Sequence, residues 1–153
     1  LLNSSVEGDD ILLKHYVNMG VAVALEEGLV VPNIPNADQK GLAQISSELK
    51  ELSEAARSGT LSMDSMRNGT FTITNLGMFG IESFSPIINQ PEVAILGVNA
   101  IQETLVIRSG EQVVLPMMKL SLTADHRVVD GAVAAQFLQR LRLVLERPAL
   151  MLM

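Results

Sequence analysis

The chain has 153 residues and a formal net charge of −6, and it contains no cysteine. Its length suits one domain with one core. Its acidic balance argues against nucleic acid or an anionic membrane as the main partner, because neither is attracted to a negative surface. The missing cysteine excludes disulfides, thiolate metal sites and a cysteine nucleophile, and no stretch approaches the roughly 18 apolar residues of a membrane span.

The composition is unusually apolar for a small domain. Apolar residues make up 48% of the chain, and the mean hydropathy is +0.31. Because a domain of this size leaves much of its surface exposed, the excess predicts contacts between subunits, although a core that is merely rich in apolar side chains stays an alternative. The chain begins at Leu1 rather than at a methionine, and we expect it to be a piece of a longer protein.

The first half of the chain carries strand signals followed by one helix signal. Residues 11–16 and 18–25 are short apolar runs, and the second is typical of a strand that is covered on both faces. Residues 29–34 resume this character, although Pro32 favours an edge position or a strand end. An amphipathic helix is predicted from Leu42 to Ala56, because apolar residues recur there at three-to-four spacing.

The second half is mainly of β type and ends in a helix. Residues 70–75 alternate and are rich in β-forming residues. Further strands are predicted at residues 93–101, 104–107, 112–115 and 117–123, with a hairpin turn at Ser109 and Gly110. An amphipathic helix follows from Ala132 to Glu146, and Pro148 ends it. This order predicts an α/β domain, a two-layer sandwich with a mixed sheet covered by helices.

One of the two histidines, His126, lies in a polar segment between the last predicted strand and the last helix. Loops in this position often hold the reactive groups of α/β proteins, and histidine offers a neutral base near pH 7. The alternative is a helix-entry loop whose histidine only satisfies local backbone groups. Asp130 directly precedes the helix, where it can cap the helix, orient the loop, or do both.

Other chemistries have little support in the sequence. A metal site would need several ligands beside His126, and His15 is the only other imidazole. A serine hydrolase would need a Gly-x-Ser-x-Gly elbow, which does not occur. No dinucleotide-binding or P-loop glycine pattern occurs either, and Gly77 and Gly80 indicate a tight turn.

Three long segments resemble one enzyme family. The segment 125–132 (DHRVVDGA) matches the His-x-x-x-Asp-Gly signature of chloramphenicol acetyltransferase-like enzymes. Residues 18–38, 69–98 and 120–138 resemble the catalytic domain of dihydrolipoyl acyltransferases, which are the cores of 2-oxo acid and acetoin dehydrogenase complexes. The three blocks occur in the family's order, and the resemblance runs from about Asn18 to Met153. It implies a chloramphenicol acetyltransferase-like fold.

The resemblance implies a role for three residues. His126 matches the general base, which takes the proton from the thiol of coenzyme A or dihydrolipoamide so that the thiolate attacks the partner's thioester directly. Thr74 matches a Ser or Thr hydroxyl that stabilises the oxyanion. Serine is the common choice there, and without the family Thr74 is an ordinary strand residue. Asp130 matches an aspartate that holds the loop through a salt bridge to an arginine, which the sequence does not identify.

The resemblance also implies substrates and partners. Coenzyme A and a lipoyl group on a separate lipoyl domain are the expected substrates; the residues that bind coenzyme A are not identified, and no metal is expected. Three subunits are expected to form a homotrimer in which neighbouring subunits supply the base and the oxyanion hydroxyl. Trimers would assemble into a larger core through the apolar tip Leu150–Met153, which is otherwise a frayed tail. Decarboxylase and dihydrolipoyl dehydrogenase components would bind regions absent here.

We therefore expect residues 1–153 to be a single acyltransferase catalytic domain that lacks its N-terminal part and the lipoyl and peripheral-subunit-binding domains. The expected reaction moves an acyl group, with acetyl as the first candidate, between dihydrolipoamide and coenzyme A. The expected location is the bacterial cytoplasm, or the mitochondrial matrix of a eukaryote. Two alternatives stay open: a stand-alone acetyl-CoA-dependent acetyltransferase of a small hydroxyl substrate, and a non-catalytic assembly scaffold.

Overall fold

The computed structural model describes residues 1–152. Within this range, neither of the two α-helices is long and apolar enough to cross a membrane. The strands are β1 (Ser4–Glu7), β2 (Asp10–Leu13), β3 (Met19–Val21), β4 (Val23–Leu25), β5 (Gly28–Val30), β6 (Asn33–Ile34), β7 (Phe71–Asn75), β8 (Ala94–Arg108) and β9 (Glu111–Ala124), and the helices are α1 (Leu42–Arg57) and α2 (Gly131–Glu146).

A five-stranded mixed sheet with the order β6-β3-β7-β8-β9 forms the centre of the domain. Strands β3, β7 and β8 run parallel to one another, whereas β6 and β9 are antiparallel to their neighbours. The pairs β1–β2 and β4–β5 form two separate antiparallel hairpins. The predicted mixed sheet is therefore present, and its strand order puts β9 at one edge.

The two faces of the sheet have different coverings. Successive side chains of a strand point to opposite faces, and in β7 Phe71 and Ile73 belong to the core that packs under α2. The rings of Phe71 and Phe137 have their centroids 5.8 Å apart. Thr72 and Thr74 point to the other face, where they line a cavity together with a loop. Strand β7 thus contributes apolar side chains to the core on one face and two threonines to the cavity wall on the other.

The apolar run at residues 18–25 was expected to be one strand covered on both faces, and this prediction is wrong. The run is divided between β3 in the central sheet and β4 in a separate hairpin. The backbone N–H of Ala22 still donates to the carbonyl oxygen of Ile73 at 2.9 Å. Beyond Ala22 the chain pairs with β5 instead, so that only β3 belongs to the central sheet.

The strands predicted at residues 93–101 and 104–107 are one continuous strand, β8, and those predicted at 112–115 and 117–123 are both parts of β9. The β8–β9 pairing has an irregularity between Val98 and Ile101, which shifts the register without ending the strands. Pro116 pairs opposite Glu103 within β9. A proline is tolerated there because β9 is an edge strand with one side unpaired.

Several other predictions are confirmed. Helix α1 begins at the predicted Leu42 and ends one residue beyond Ala56. The hairpin turn predicted at Ser109 and Gly110 has positive φ angles of 53° and 86° at these residues, a backbone conformation that suits tight hairpins. Strand β1, which the sequence did not predict, pairs with β2 at the start of the chain.

Candidate active site

The loop that carries His126 is held in place by its backbone. The N–H of Asp125 donates to the carbonyl oxygen of Val93 at 2.8 Å, so the loop continues from the sheet. The carbonyl oxygen of Asp125 accepts the N–H groups of Val128 and Val129 at 3.0 and 2.9 Å. The side chain of Val129 is only 2% exposed and anchors the loop in the core. His126 lies at the exposed turn of this loop, where its imidazole is accessible.

The residues on either side of His126 form an ion pair that the sequence did not predict. The Arg127 side chain donates from Nε at 3.0 Å and from Nη2 at 2.6 Å to the oxygens of Asp125. The backbone N–H of Arg127 also donates to Asp125 Oδ1 at 3.0 Å. These hydrogen bonds from Arg127 lower the pKa of Asp125 to about 2. The only available sequence signal was the Asp-His-Arg order itself, with opposite charges two residues apart.

Asp130 is the N-cap of α2. Its Oδ1 accepts the backbone N–H of Val133 at 2.9 Å, which satisfies one of the free N–H groups at the helix start. The sequence left both a capping role and a loop-orienting role open for Asp130, and the structure shows the capping role. Asp130 forms no ion pair with any of residues 1–152. The salt bridge that the resemblance implies would therefore need an arginine from outside this range or from another subunit.

Thr74 faces a cavity of about 430 Å³ on the side of the sheet opposite α2. It is half-buried and lies directly opposite Gly97 of β8. The segment 84–89 covers the cavity, and the Phe84 ring lies over Gly97, where an added Cβ would come within 2.9 Å of Phe84 Cζ. The remaining wall includes the apolar residues Ala22, Leu29, Val31, Ile87, Ile88 and Ile95.

A buried carboxyl group, Glu92, lies next to this cavity and had no role in the sequence-based prediction. Its side chain is 4% exposed. One of its oxygens accepts a hydrogen bond from Thr72 Oγ1 at 2.6 Å, and the other accepts one from Asn89 Nδ2 at 3.2 Å. Burial raises the pKa of Glu92, and these two hydrogen bonds oppose that effect. Both partners line the same cavity as Thr74.

His126 and Thr74 do not meet within one chain. Thr74 and Ser121 both lie opposite Gly97, which puts them on the same rung of the sheet. Ala124 lies three residues further along β9. It is therefore displaced from Thr74 by about 10 Å along the strand direction and by about 10 Å across the sheet, which corresponds to two strand spacings. His126 follows two residues later. One chain therefore presents a base and a hydroxyl at two separate places.

Solved structures with this fold are catalytic cores of 2-oxoacid dehydrogenase complexes. A dihydrolipoamide acetyltransferase of Azotobacter vinelandii matches with a TM-score of 0.92 at 43% identity, over 99% of this chain and 63% of that chain. The cubic core of a pyruvate dehydrogenase multienzyme complex matches with a TM-score of 0.92 at 44% identity, also over 99% and 63%. The fold class is thus that of an acyltransferase core, and the predicted fold class is confirmed.

The sequence comparisons agree with the fold. The family model of the 2-oxoacid dehydrogenases acyltransferase (catalytic domain) matches residues 1–153, and the chain belongs to this family. A succinyltransferase component of the 2-oxoglutarate dehydrogenase complex from Bartonella vinsonii subsp. berkhoffii is 46% identical over 96% of this chain and 36% of its own length. An acetyltransferase component of the pyruvate dehydrogenase complex from Bacillus subtilis (strain 168) is 44% identical over 100% and 35%. The chain thus spans about a third of the length of these curated relatives.

Proposed function

We propose that the chain is the catalytic core of an acyltransferase that moves an acyl group between dihydrolipoamide and coenzyme A. One observation carries the proposal. The roles of a serine, a histidine and an asparagine in the catalytic mechanism were investigated in the Azotobacter vinelandii enzyme, where the serine lies 52 positions before the histidine and the asparagine four after it. Thr74, His126 and Asp130 have the same separations in this chain.

In the proposed mechanism His126 is the general base. A thiol with a pKa of about 8.5 is mostly protonated at pH 7, whereas the thiolate is the nucleophile. His126 takes the thiol proton, and the sulfur attacks the carbonyl carbon of the thioester that the other substrate carries. The tetrahedral intermediate then expels the second sulfur as a thiolate, which recovers the proton from the imidazolium. No enzyme nucleophile is needed, which agrees with the absence of cysteine.

Thr74 is proposed to stabilise the intermediate. Its hydroxyl can donate a hydrogen bond to the oxyanion, and a donor of this kind is typically worth about 3 kcal/mol in the transition state. Threonine differs from serine by a β-branch that restricts χ1. The hydroxyl of Thr74 therefore has fewer orientations, and the strand must hold its backbone so that the allowed rotamer faces the substrate.

A complete site is proposed to form between neighbouring subunits of a homotrimer, since one chain separates His126 from Thr74. The exposed apolar surface supports subunit contacts. Ile101, Leu105 and Ile107, on the outer half of β8, are 70%, 62% and 77% exposed. Trimers are proposed to assemble further through the apolar tip at Leu150–Met153. Met151 in this tip is 52% exposed, and Met153 lies outside the described residues.

The acyl group is proposed to be acetyl. None of the residues that line the Thr74 cavity, all of them within the described range, is charged. A succinyl group would bring a carboxylate, and burying a charge without a partner is costly. An acetyl group and the uncharged end of a lipoyl or pantetheine arm have no such requirement.

The lipoyl group would arrive on a lipoylated domain outside this chain. Contacts with the decarboxylase and dihydrolipoyl dehydrogenase components are likewise assigned to regions beyond residues 1–153, and the location is proposed to be the bacterial cytoplasm or the mitochondrial matrix. Among the described residues there is no group of three His, Asp or Glu that could hold a metal ion. The mechanism above uses a proton, a thiol and a thioester.

The test is acyl transfer from acetyl-CoA to free dihydrolipoamide by the full-length protein. His126→Ala should lose several orders of magnitude in rate, Thr74→Ala about 100-fold, and Thr74→Ser little, because serine keeps the donor. A parent that is inactive with acetyl-CoA but active with succinyl-CoA would contradict the assignment of the acyl group. A parent that acetylates only small hydroxyl compounds would favour a stand-alone enzyme. A His126→Ala variant as active as the parent would refute the mechanism.

A further inference from the structure

The buried carboxyl group of Glu92 has no use in the mechanism above. It accepts hydrogen bonds from Thr72 on β7 and from Asn89 at the end of the cavity-covering segment, and the backbone of Glu92 forms an isolated β-bridge with Ser5 of β1. Within residues 1–152, no lysine, arginine or histidine forms an ion pair with Glu92. Because a buried carboxylate without a cation is costly, this environment favours the neutral acid.

A second buried group faces Glu92 without a donor. Asn33 is 6% exposed, and its Oδ1 has no hydrogen-bond partner among the described residues. A Cβ added to Gly69 would lie 2.4 Å from Glu92 Oε1 and 2.7 Å from Asn33 Oδ1, so these two oxygens approach the same point from two elements. Two acceptors so placed repel each other when Glu92 is ionised. A proton on Glu92 provides the donor that Asn33 lacks.

The hydrogen bonds of Glu92 reach the proposed substrate cavity on two sides. Thr72 is on the same face of β7 as Thr74, two residues earlier, and forms part of the cavity wall. Asn89 belongs to the segment that covers the cavity. Glu92 therefore joins the wall that carries the Thr74 hydroxyl to the cover above it.

We propose that Glu92 is a positioning residue of the Thr74 cavity: as a neutral acid it donates to Asn33 Oδ1 and accepts from Thr72 and Asn89, which fixes β7 relative to the segment 84–89. The kinetic consequence rests on the proposed acyl transfer, whereas the protonation of Glu92 does not. The raised pKa of Glu92, which burial causes, agrees with the neutral form.

The experiment compares Glu92→Gln and Glu92→Ala in the full-length protein. Glutamine keeps an acceptor for Thr72 and supplies an N–H donor for Asn33, and it gives up only the bond from Asn89, an exposed residue that water can satisfy, so kcat and KM should stay within about threefold of the parent. Alanine leaves Thr72, Asn89 and Asn33 without their partner, and kcat should fall about tenfold or more. Glu82→Gln is the matched control, because Glu82 is an exposed carboxyl group close to the same covering segment.

A second readout is independent of activity. A carboxyl group whose pKa is raised by folding stabilises the protein at low pH, and this contribution is lost as the pH rises through the raised pKa. The free energy of unfolding of the parent, measured relative to Glu92→Gln, should therefore decrease as the pH rises above the ordinary glutamate range. Glu82→Gln should show no such difference from the parent.

The outcomes separate the two proposals. Equal losses of kcat in Glu92→Gln and Glu92→Ala would overturn the role of Glu92 as a neutral positioning residue. A free energy of unfolding of the parent that increases with pH relative to that of Glu92→Gln would overturn it as well. If Glu92→Ala does not fold, the comparison of the parent with Glu92→Gln still decides the matter. An inactive parent that retains the predicted pH-dependent difference would overturn the proposed function and support the neutral hydrogen-bonded cluster.

Discussion

Thr74 lies at the carboxyl end of β7, whereas His126 lies just beyond the carboxyl end of β9, and these two strands run in opposite directions. The register puts the two residues at different places along the sheet, on strands separated by β8. A reaction that uses both side chains at one carbonyl carbon therefore needs at least two copies of this chain.

Co-assembly of two impaired variants should restore activity. When His126→Ala and Thr74→Ala subunits are co-expressed in equal amounts, about a quarter of the sites in a cyclic trimer combine an intact His126 with an intact Thr74 from the neighbour. We expect the mixed protein to have about a quarter of the parental kcat, far above either variant alone. The measurement is acetyl transfer to dihydrolipoamide by the purified mixture.

The control for this experiment is the double variant His126→Ala/Thr74→Ala co-expressed with the His126→Ala protein. No subunit in that mixture retains the base, and no activity should return. A mixture of the two single variants that is no more active than its components would mean that each chain builds its own site.

Replacing Asp130 separates helix capping from charge. Asp130→Ala should lower the free energy of unfolding by about 1 kcal/mol because α2 loses its N-cap bond to Val133, whereas Asp130→Asn should keep nearly all of it. If the charge also holds an arginine, as the resemblance implies, Asp130→Asn should be stable but slower. Urea denaturation and kcat of the same preparations distinguish the two effects, and an Asp130→Asn protein as unstable as Asp130→Ala would contradict the capping role.

The sequence predicted the helices better than the sheet for a physical reason. The apolar periodicity of α1 and α2 is local, and both helices lie within one residue of their predicted bounds. The break at Ala22 is not local, because it depends on which strands pair with β3 and β4. The continuity of β9 through Pro116 also depends on the position of the strand in the sheet, because at a sheet edge a proline costs no hydrogen bond to a neighbour.

The same limit applies to the site. His126, Asp130 and Thr74 could be singled out because they lie in recognisable segments. The hydrogen bond from Thr72 to Glu92 joins residues 20 positions apart, and neither residue has a sequence pattern that reports burial or a partner. The ion pair of Asp125 and Arg127 is close in sequence, but its geometry depends on the turn at His126.

Deleting Leu150–Met153 should leave trimers and remove larger particles. The tip follows α2 as a 3-10 turn at Pro148–Leu152, in which the N–H of Leu150 donates to the carbonyl oxygen of Arg147 at 2.9 Å. A turn that presents apolar side chains such as the exposed Met151 suits contacts between trimers. Sedimentation velocity of the truncated full-length protein gives the particle size. Retained transfer to free dihydrolipoamide would show that the trimers are intact, and persistent large particles would contradict the role of the tip.

The ion pair beside His126 should resist acid. Arg127 holds the pKa of Asp125 at about 2, compared with an ordinary value of 3.8. Because this pKa is lowered by folding, the stabilisation is present above the ordinary value and is lost as the pH falls from about 4 toward 2. At pH 3 the Asp125 carboxyl should be mostly ionised in the parent and clearly less ionised in Arg127→Gln, which keeps only the backbone hydrogen bond from residue 127, as followed by the NMR shift of its carboxyl carbon.

At neutral pH the same Arg127→Gln variant should lose less than about tenfold in kcat, since an exposed ion pair is worth little and the loop keeps its backbone bonds from Val128 and Val129 to Asp125. A carboxyl titration that is the same in the parent and the variant would show that Arg127 does not cause the shift. A large loss of kcat would mean that the guanidinium acts on the substrate directly.

Gly97→Ala should disturb the cover of the Thr74 cavity from the neighbouring strand, because Gly97 pairs with Thr74 and lies under the Phe84 ring. The new Cβ would lie 2.9, 3.2 and 3.4 Å from three atoms of the Phe84 ring, so the ring, which is part of the cover, must move. Overpacking of this kind costs typically 1–3 kcal/mol of stability, and the displaced cover should raise KM for acetyl-CoA or dihydrolipoamide.

Adding Phe84→Leu should recover part of the lost stability, because a smaller side chain gives the new methyl group room. The double-mutant cycle would then show favourable coupling. Additive losses of stability in that cycle would mean that Gly97 is required for something other than the approach of Phe84.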